Sequence, residues 1–184
     1  MNLSLLLCEM GAFGVDVSEV FNPGIFTNAA PRYGLQPGHA FDMTLLNPHC
    51  EPWDFDKDEH RKWCEKIVCE EKLALLVGSP MCKGFSTLMN LNLRRLSREQ
   101  IAAIIGQCMK HLRFVFKLYE LQRTNGRWFL HEHPWGAWSR YVDFVQDMAS
   151  KENVNVVEGH MCPHGMHSFD FDGYGLVLKR TGWM

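Results

Sequence analysis

Hydrophobic and polar positions recur at two different periods along this chain, and the switches between them mark out its elements. Residues 15–21 read as a β-type run, closed by Asn22-Pro23-Gly24, which turns the chain. After Gly34 and Pro37 a second strand is predicted over 38–43, placing the carboxylate of Asp42 at its end. Between Asp58 and Glu71, Trp63, Ile67 and Val68 recur at helical spacing among charged neighbours, so an amphipathic helix is predicted. The unbroken apolar run 73–77 reads as a buried strand of a parallel sheet, ended by Gly78-Ser79-Pro80. Ser97 and Gln100 then form a capping box, and Ile101, Ile104, Ile105, Cys108, Leu112 and Phe116 make a helical apolar stripe that Gly126 stops. A strand over 127–130, a loop over 131–136, a helix over 141–148 and a strand over 153–157 complete the series.

Strand and helix alternate at α/β spacing, so the expected architecture is a Rossmann-like, mostly parallel sheet with helices on both faces. No linker or internal repeat divides the 184 residues, so one domain is expected. Composition excludes a collagen, a coiled coil or a low-complexity tail. The net charge of −2 names no partner, but its distribution does more. From Lys83 to Arg127 there are nine basic residues against two acidic ones, an asymmetry that suits a face meeting polyphosphate as well as a solvated helix face. Seven cysteines without a Cys-x-x-Cys pair argue against a disulfide framework and for a reducing compartment. The run Leu3 to Leu7 lacks a charged leader and is too short to span a bilayer, so a soluble, intracellular protein with no membrane partner is expected.

In such sheets ligands sit at the carboxyl ends of the strands, and that is where the chemistry-bearing residues fall. Gly78-Ser79-Pro80-Met81-Cys82-Lys83-Gly84-Phe85-Ser86 presents one cysteine on a small-residue loop directly after a buried strand. A thiolate there is favoured by Lys83 and by any helix N-terminus that follows. This loop resembles the nucleophile motif of DNA cytosine carbon-5 methyltransferases, with Cys82, Phe85 and Ser86 matching; Met81 replaces a proline and Lys83 a glutamine. The resemblance runs from about Val15 to Gly182 with its elements in family order.

It implies methyl transfer from S-adenosylmethionine to a nucleic-acid base, DNA ahead of RNA. Cys82 is then the nucleophile and Glu132, in Leu130-His131-Glu132-His133-Pro134, the acid that relieves charge at cytosine N3. The donor would meet Glu19, Phe21 and Gly24 in the first loop, Asp42 at the ribose, Asp56 on the adenine side, and Ser79 and Pro80 beside the nucleophile. Lys83, Ser86, His133 and Trp135 would face the substrate base, which must leave its stack to be reached. Residues 129–136 also resemble methyltransferase-like segments attached to retroelement polyproteins. The chain has no room after Met184 for a separate target-recognition domain, so it is expected to be the catalytic part of something longer.

Two other classes compete. One is a methyltransferase-like domain that has lost catalysis and binds nucleic acid. The other is a metal-binding module built from His160, Cys162, His164 and His167, which carry ligand atoms for zinc or copper at a spacing that matches no standard zinc pattern.

Overall fold

A computed structural model describes residues 14–87, 89, 95–170 and 173–184. The run Leu3 to Leu7, Cys8 and the basic Arg94 lie outside the described residues. Strands β1 (Val17–Val20), β2 (Pro37–Phe41), β3 (Leu75–Gly78) and β4 (Trp128–Pro134) pair in parallel in the order β2-β1-β3-β4. Beyond β4 the sheet continues through two later strands, β5 (Val157–His160) and β8 (Arg180–Trp183), in the order β4-β8-β5. Strand β8 runs antiparallel to both neighbours, which makes the six-stranded sheet mixed but mostly parallel. A separate hairpin pairs β6 (His167–Asp170) with β7 (Gly173–Leu176).

The helices are α1 (Ile25–Ala29), α2 (Asp58–Glu71), α3 (Arg98–Thr124) and α4 (Asp143–Ala149). Alternation along β3 sends its residues to opposite faces of the sheet. Leu76 joins the larger core with Val68 of α2, Leu112, Val115 and Tyr119 of α3, and Val145 and Met148 of α4. Leu75 and Val77 face a smaller cluster with Val17, Phe26, Ala30 and Leu130. Both faces are covered, but unequally.

The long helix α3 begins as its sequence dictates. Ser97 Oγ accepts from the Gln100 amide at 3.2 Å, while Gln100 Oε1 accepts from the Ser97 amide at 2.9 Å. It ends at Thr124, with Gly126 just beyond in the left-handed region at φ 67°. Full burial begins only at Cys108; Ile101, Ile104 and Ile105 are half-buried. Near the other end Gln122 is wholly buried and donates to the carbonyls of Leu73 at 3.2 Å and Trp128 at 3.0 Å, tying the entrances of β3 and β4 to the helix.

Several predicted boundaries move. The loop expected over 131–136 is largely strand, since β4 runs through Pro134 and its end pairs with β8, an element the apolar pattern does not signal. The helix expected over 141–148 is a 3-10 turn, Trp138–Tyr141, followed by α4 from Asp143. The strand expected over 153–157 begins only at Val157. None of the described helices is long and apolar enough to cross a membrane. No disulfide joins the six described cysteines.

One close approach fixes how α3 lies on the sheet. Gly78 has no side chain, and a Cβ there would stand 2.0 Å from Tyr119 Oη and 2.7 Å from Val115 Cγ2. The space lets the Tyr119 hydroxyl share a 3.2 Å hydrogen bond with Nδ1 of His131, the residue paired with Gly78 across the β3–β4 ladder. Gly78→Ala is expected to cost about 2–3 kcal/mol through overpacking, read as a lower urea midpoint with unchanged m.

Candidate active site

The first three parallel strands deliver three loops to one end of the sheet. The switch point lies between the adjacent strands β1 and β3, where the strand order reverses and an open α/β sheet leaves a crevice. After β1 the backbone enters the left-handed region twice, at Phe21 (φ 58°) and Gly24 (φ 92°), which turns the chain sharply into α1. The wholly buried Glu19 carboxylate is consumed by this turn. It accepts from the amides of Phe26 at 3.2 Å and Thr27 at 2.7 Å, and from the Thr27 hydroxyl at 2.7 Å. Phe21 packs against Phe55 at 4.8 Å and His111 at 5.1 Å between ring centroids.

Of the other two acids assigned to a donor, only Asp42 keeps an oxygen without a protein partner. Its Oδ1 accepts from the amide of Thr44 at 3.0 Å and its hydroxyl at 2.7 Å, while Oδ2 makes no hydrogen bond among the described residues. Asp56 is clasped by Lys110 at 2.9 Å and by Gln107, with His111 Nε2 at 3.5 Å. These contacts hold its carboxyl below the usual range despite some burial.

The loop after β3 sets Cys82 half-buried beside the end of β4. Burial first, and the Glu132 carboxylate second, push its thiol pKa up, while the Lys179 ammonium pulls it down. Lys179 Nζ donates to Glu132 Oε1 at 3.1 Å. It stands just before β8, whose antiparallel course brings its first residues against the last of β4. The cation acting on Cys82 is thus Lys179. Lys83, expected to fill that role, is exposed and acts on the Cys108 thiol instead.

Behind this group lies a buried polar layer. His133 Nδ1 and Ser139 Oγ are 2.6 Å apart, and both residues are almost wholly buried. Burial lowers the His133 pKa to about 4; the carbonyls of Pro80 and Met81 oppose that shift, though no hydrogen bond closes at Nε2. His131 is likewise shifted downward by complete burial, with His133 adding to the effect. The two rings lie 5.3 Å apart. Phe85, at 5.7 Å from His133 and 4.8 Å from Trp138, closes the layer, and Trp138 Nε1 donates to Gly84 O at 3.1 Å.

The remaining assigned residues divide. Ser79 continues the sheet, its amide donating to Val20 O at 3.1 Å, and the Ser86 amide donates to Cys82 O at 2.9 Å. Pro80 is buried. The ring of Trp135 is covered by the Arg140 guanidinium at 3.6 Å, so that face is not open to a base. The basic segment is partly neutralised within the protein: Lys110 pairs with Asp56 at 2.9 Å, Lys117 with Glu65 at 2.7 Å and Arg123 with Glu120 at 2.6 Å. His160, Cys162, His164 and His167 are all described, and among the described residues no three His, Cys, Asp or Glu side chains come together as ligands for a metal ion.

Sequence reasoning missed Lys179, Ser139 and the Tyr119–His131 pair. Only the β-favouring side chains of Thr181 and Trp183 hint at a strand beside Lys179, and they are too few to make a pattern. The others depend on which side chains share an interior, which no local pattern encodes. The expected outcome for the cluster is a thiol whose ionisation follows its neighbours. Glu132→Gln should lower the pH midpoint of Cys82 alkylation by iodoacetamide, and Lys179→Met should raise it, as read by mass spectrometry of the Cys82 peptide across pH 6–10.

Fold and site together define an α/β protein that gathers a thiol, a carboxylate and an ammonium at the carboxyl ends of adjacent parallel strands. No protein-family model matches the chain, and comparison with curated proteins finds no match.

Proposed function

We propose that this Rossmann-like domain transfers a methyl group from S-adenosylmethionine to a nucleic-acid base, cytosine carbon-5 in DNA, through Cys82. The observation that carries this reading is the electrostatic coupling of Cys82 to Glu132 across the ends of β3 and β4. Burial and then the Glu132 carboxylate raise the thiol's pKa, and Lys179, which donates to that carboxylate, lowers it, so the three groups act on one another at short range. Attack on a cytosine ring requires a thiolate for carbon-6 and a proton donor for N3, and Cys82 and Glu132 are the residues that would supply them. The Cys82 sulfur adds to carbon-6, and Glu132 donates at N3 as negative charge builds in the ring. The activated carbon-5 would then take the methyl group, the demethylated donor leaving as a neutral thioether; loss of the carbon-5 proton to solvent and expulsion of the Cys82 thiolate from carbon-6 would restore the ring and free the enzyme. S-adenosylmethionine supplies that methyl on a positively charged sulfur when bound.

The donor-binding set fits in part. Asp42, half-buried at the end of β2 with Oδ2 free, suits the ribose hydroxyls, and the turn through Phe21 and Gly24 brings backbone close to the crevice. Glu19 and Asp56 are spent on the protein itself and support the loop rather than the ligand. The test is calorimetric titration of the chain with S-adenosylmethionine and its demethylated product. Micromolar binding that weakens about tenfold or more in Asp42→Ala is expected. No binding at millimolar concentration would overturn the reading.

A further inference from the structure

At the opposite end of the sheet, where the parallel strands begin, the chain buries a charge for which no described residue supplies a hydrogen bond or an ion pair. Arg127 leads into β4 and is 8% exposed. Its Nε and Nη1 are buried without a hydrogen-bond partner, and its side chain makes no ion pair among the described residues. Its own amide is occupied, donating to Gln122 O at 2.9 Å. A guanidinium cannot shed its proton at neutral pH, so burial without partners costs free energy unless a ligand supplies the acceptors.

Arg127 lines an open cleft of about 530 Å³ between the end of α3 and the chain entering β5, together with Arg123, Trp128, Asn153 and Asn155. Glu152 is the opposing charge on its wall. Arg123 is oriented by Glu120, which accepts from its Nε at 3.0 Å and Nη2 at 2.6 Å. Arg127 also lines a second cleft of about 400 Å³ with Cys69, Lys72 and Asn125. Nε and Nη1 have no exposed surface, so a phosphate engages the whole fork only when the side chain turns outward into the cleft, where the planar guanidinium matches two oxygens of one phosphate and the amides of Asn153 and Asn155 add donors of the right kind.

We propose that this cleft is a phosphate site in which Arg127 takes the oxyanion. It is independent of the chemistry at Cys82, which lies at the other end of the strands. The ligand is inorganic phosphate or the phosphate of a mononucleotide whose base rests on the exposed ring of Trp128.

The full chain is titrated by calorimetry with inorganic phosphate and with AMP, and melted in phosphate against sodium chloride of equal ionic strength. Phosphate should bind and raise Tm, and the Arg127→Met protein should bind it about tenfold more weakly or worse. Should that variant fail to fold, Asn155→Asp, which adds a carboxylate on an exposed part of the wall, should weaken phosphate to a similar degree. AMP binding about tenfold tighter than phosphate assigns the site to a nucleotide, and equal or weaker binding assigns it to free phosphate; either upholds it. No binding at about 20 mM phosphate, or affinity unchanged in the folded variants, overturns it.

Discussion

Cys82→Ala is expected to abolish methyl transfer by at least about 10⁴-fold while leaving S-adenosylmethionine affinity within about twofold of the parent. Without the sulfur there is no adduct at carbon-6, so carbon-5 never becomes nucleophilic enough to accept the methyl group. The fold should tolerate the change, since Cys82 is half-buried and belongs to neither apolar cluster. Glu132→Gln should lose about 10²–10³-fold, because the amide still places a donor near N3 but cannot deliver a proton. Radiolabel transfer to a cytosine-containing oligonucleotide is the measurement, run beside calorimetry so that lost chemistry is separated from lost binding. Full activity in Cys82→Ala would remove the thiol from the mechanism.

Acidification from pH 7 to about 4.5 should destabilise the fold by roughly 2–3 kcal/mol through His133 of β4, with His131 adding to it. His133 has a folded pKa of about 4 against 6.5 for an ordinary imidazole, and His131 is shifted in the same direction. In a window between those values the unfolded chain binds protons that the folded chain refuses. The stability contributed by neutral burial is therefore complete above about pH 6.5 and is lost as pH falls towards 4. Carboxylates such as Asp56 have depressed folded values, so their contribution fades only at still lower pH. His39, raised by its pairing with Glu71, acts with the opposite sign, but its side chain is half exposed and the pair is screened. Urea denaturation at several pH values should give a slope of one to two protons, falling by about one in His133→Asn. A flat profile would mean that these rings accept protons without leaving the interior.

The two predictions draw on opposite sides of β4. Glu132 faces Cys82 and Lys179, whereas His131 and His133, its neighbours in sequence, point into the buried layer with Tyr119 and Ser139. Period-two alternation explains this division. It also explains why the reading of residues 131–136 as a loop hid it, since a loop carries no faces.

Local sequence determined the elements whose energetics are local. The capping box at Ser97, the stop at Gly126, the amphipathic pattern of α2 and the apolar run into β3 all state their outcome within a few residues, because caps, helical periodicity and unbroken apolar runs act over one or two turns. The alternation of strand and helix was enough to predict a mostly parallel α/β sheet. Tertiary structure alone decided what pairs with what. Strand β8 lies between β4 and β5 although its four residues carry no strong pattern, and only that placement gives Glu132 the partner Lys179. Glu19, Asp42 and Asp56 look equivalent in sequence as acids in the early part of the chain. The fold separates them, because a carboxylate's use depends on which amides and cations the packing turns towards it, and those donors come from residues up to 54 positions away.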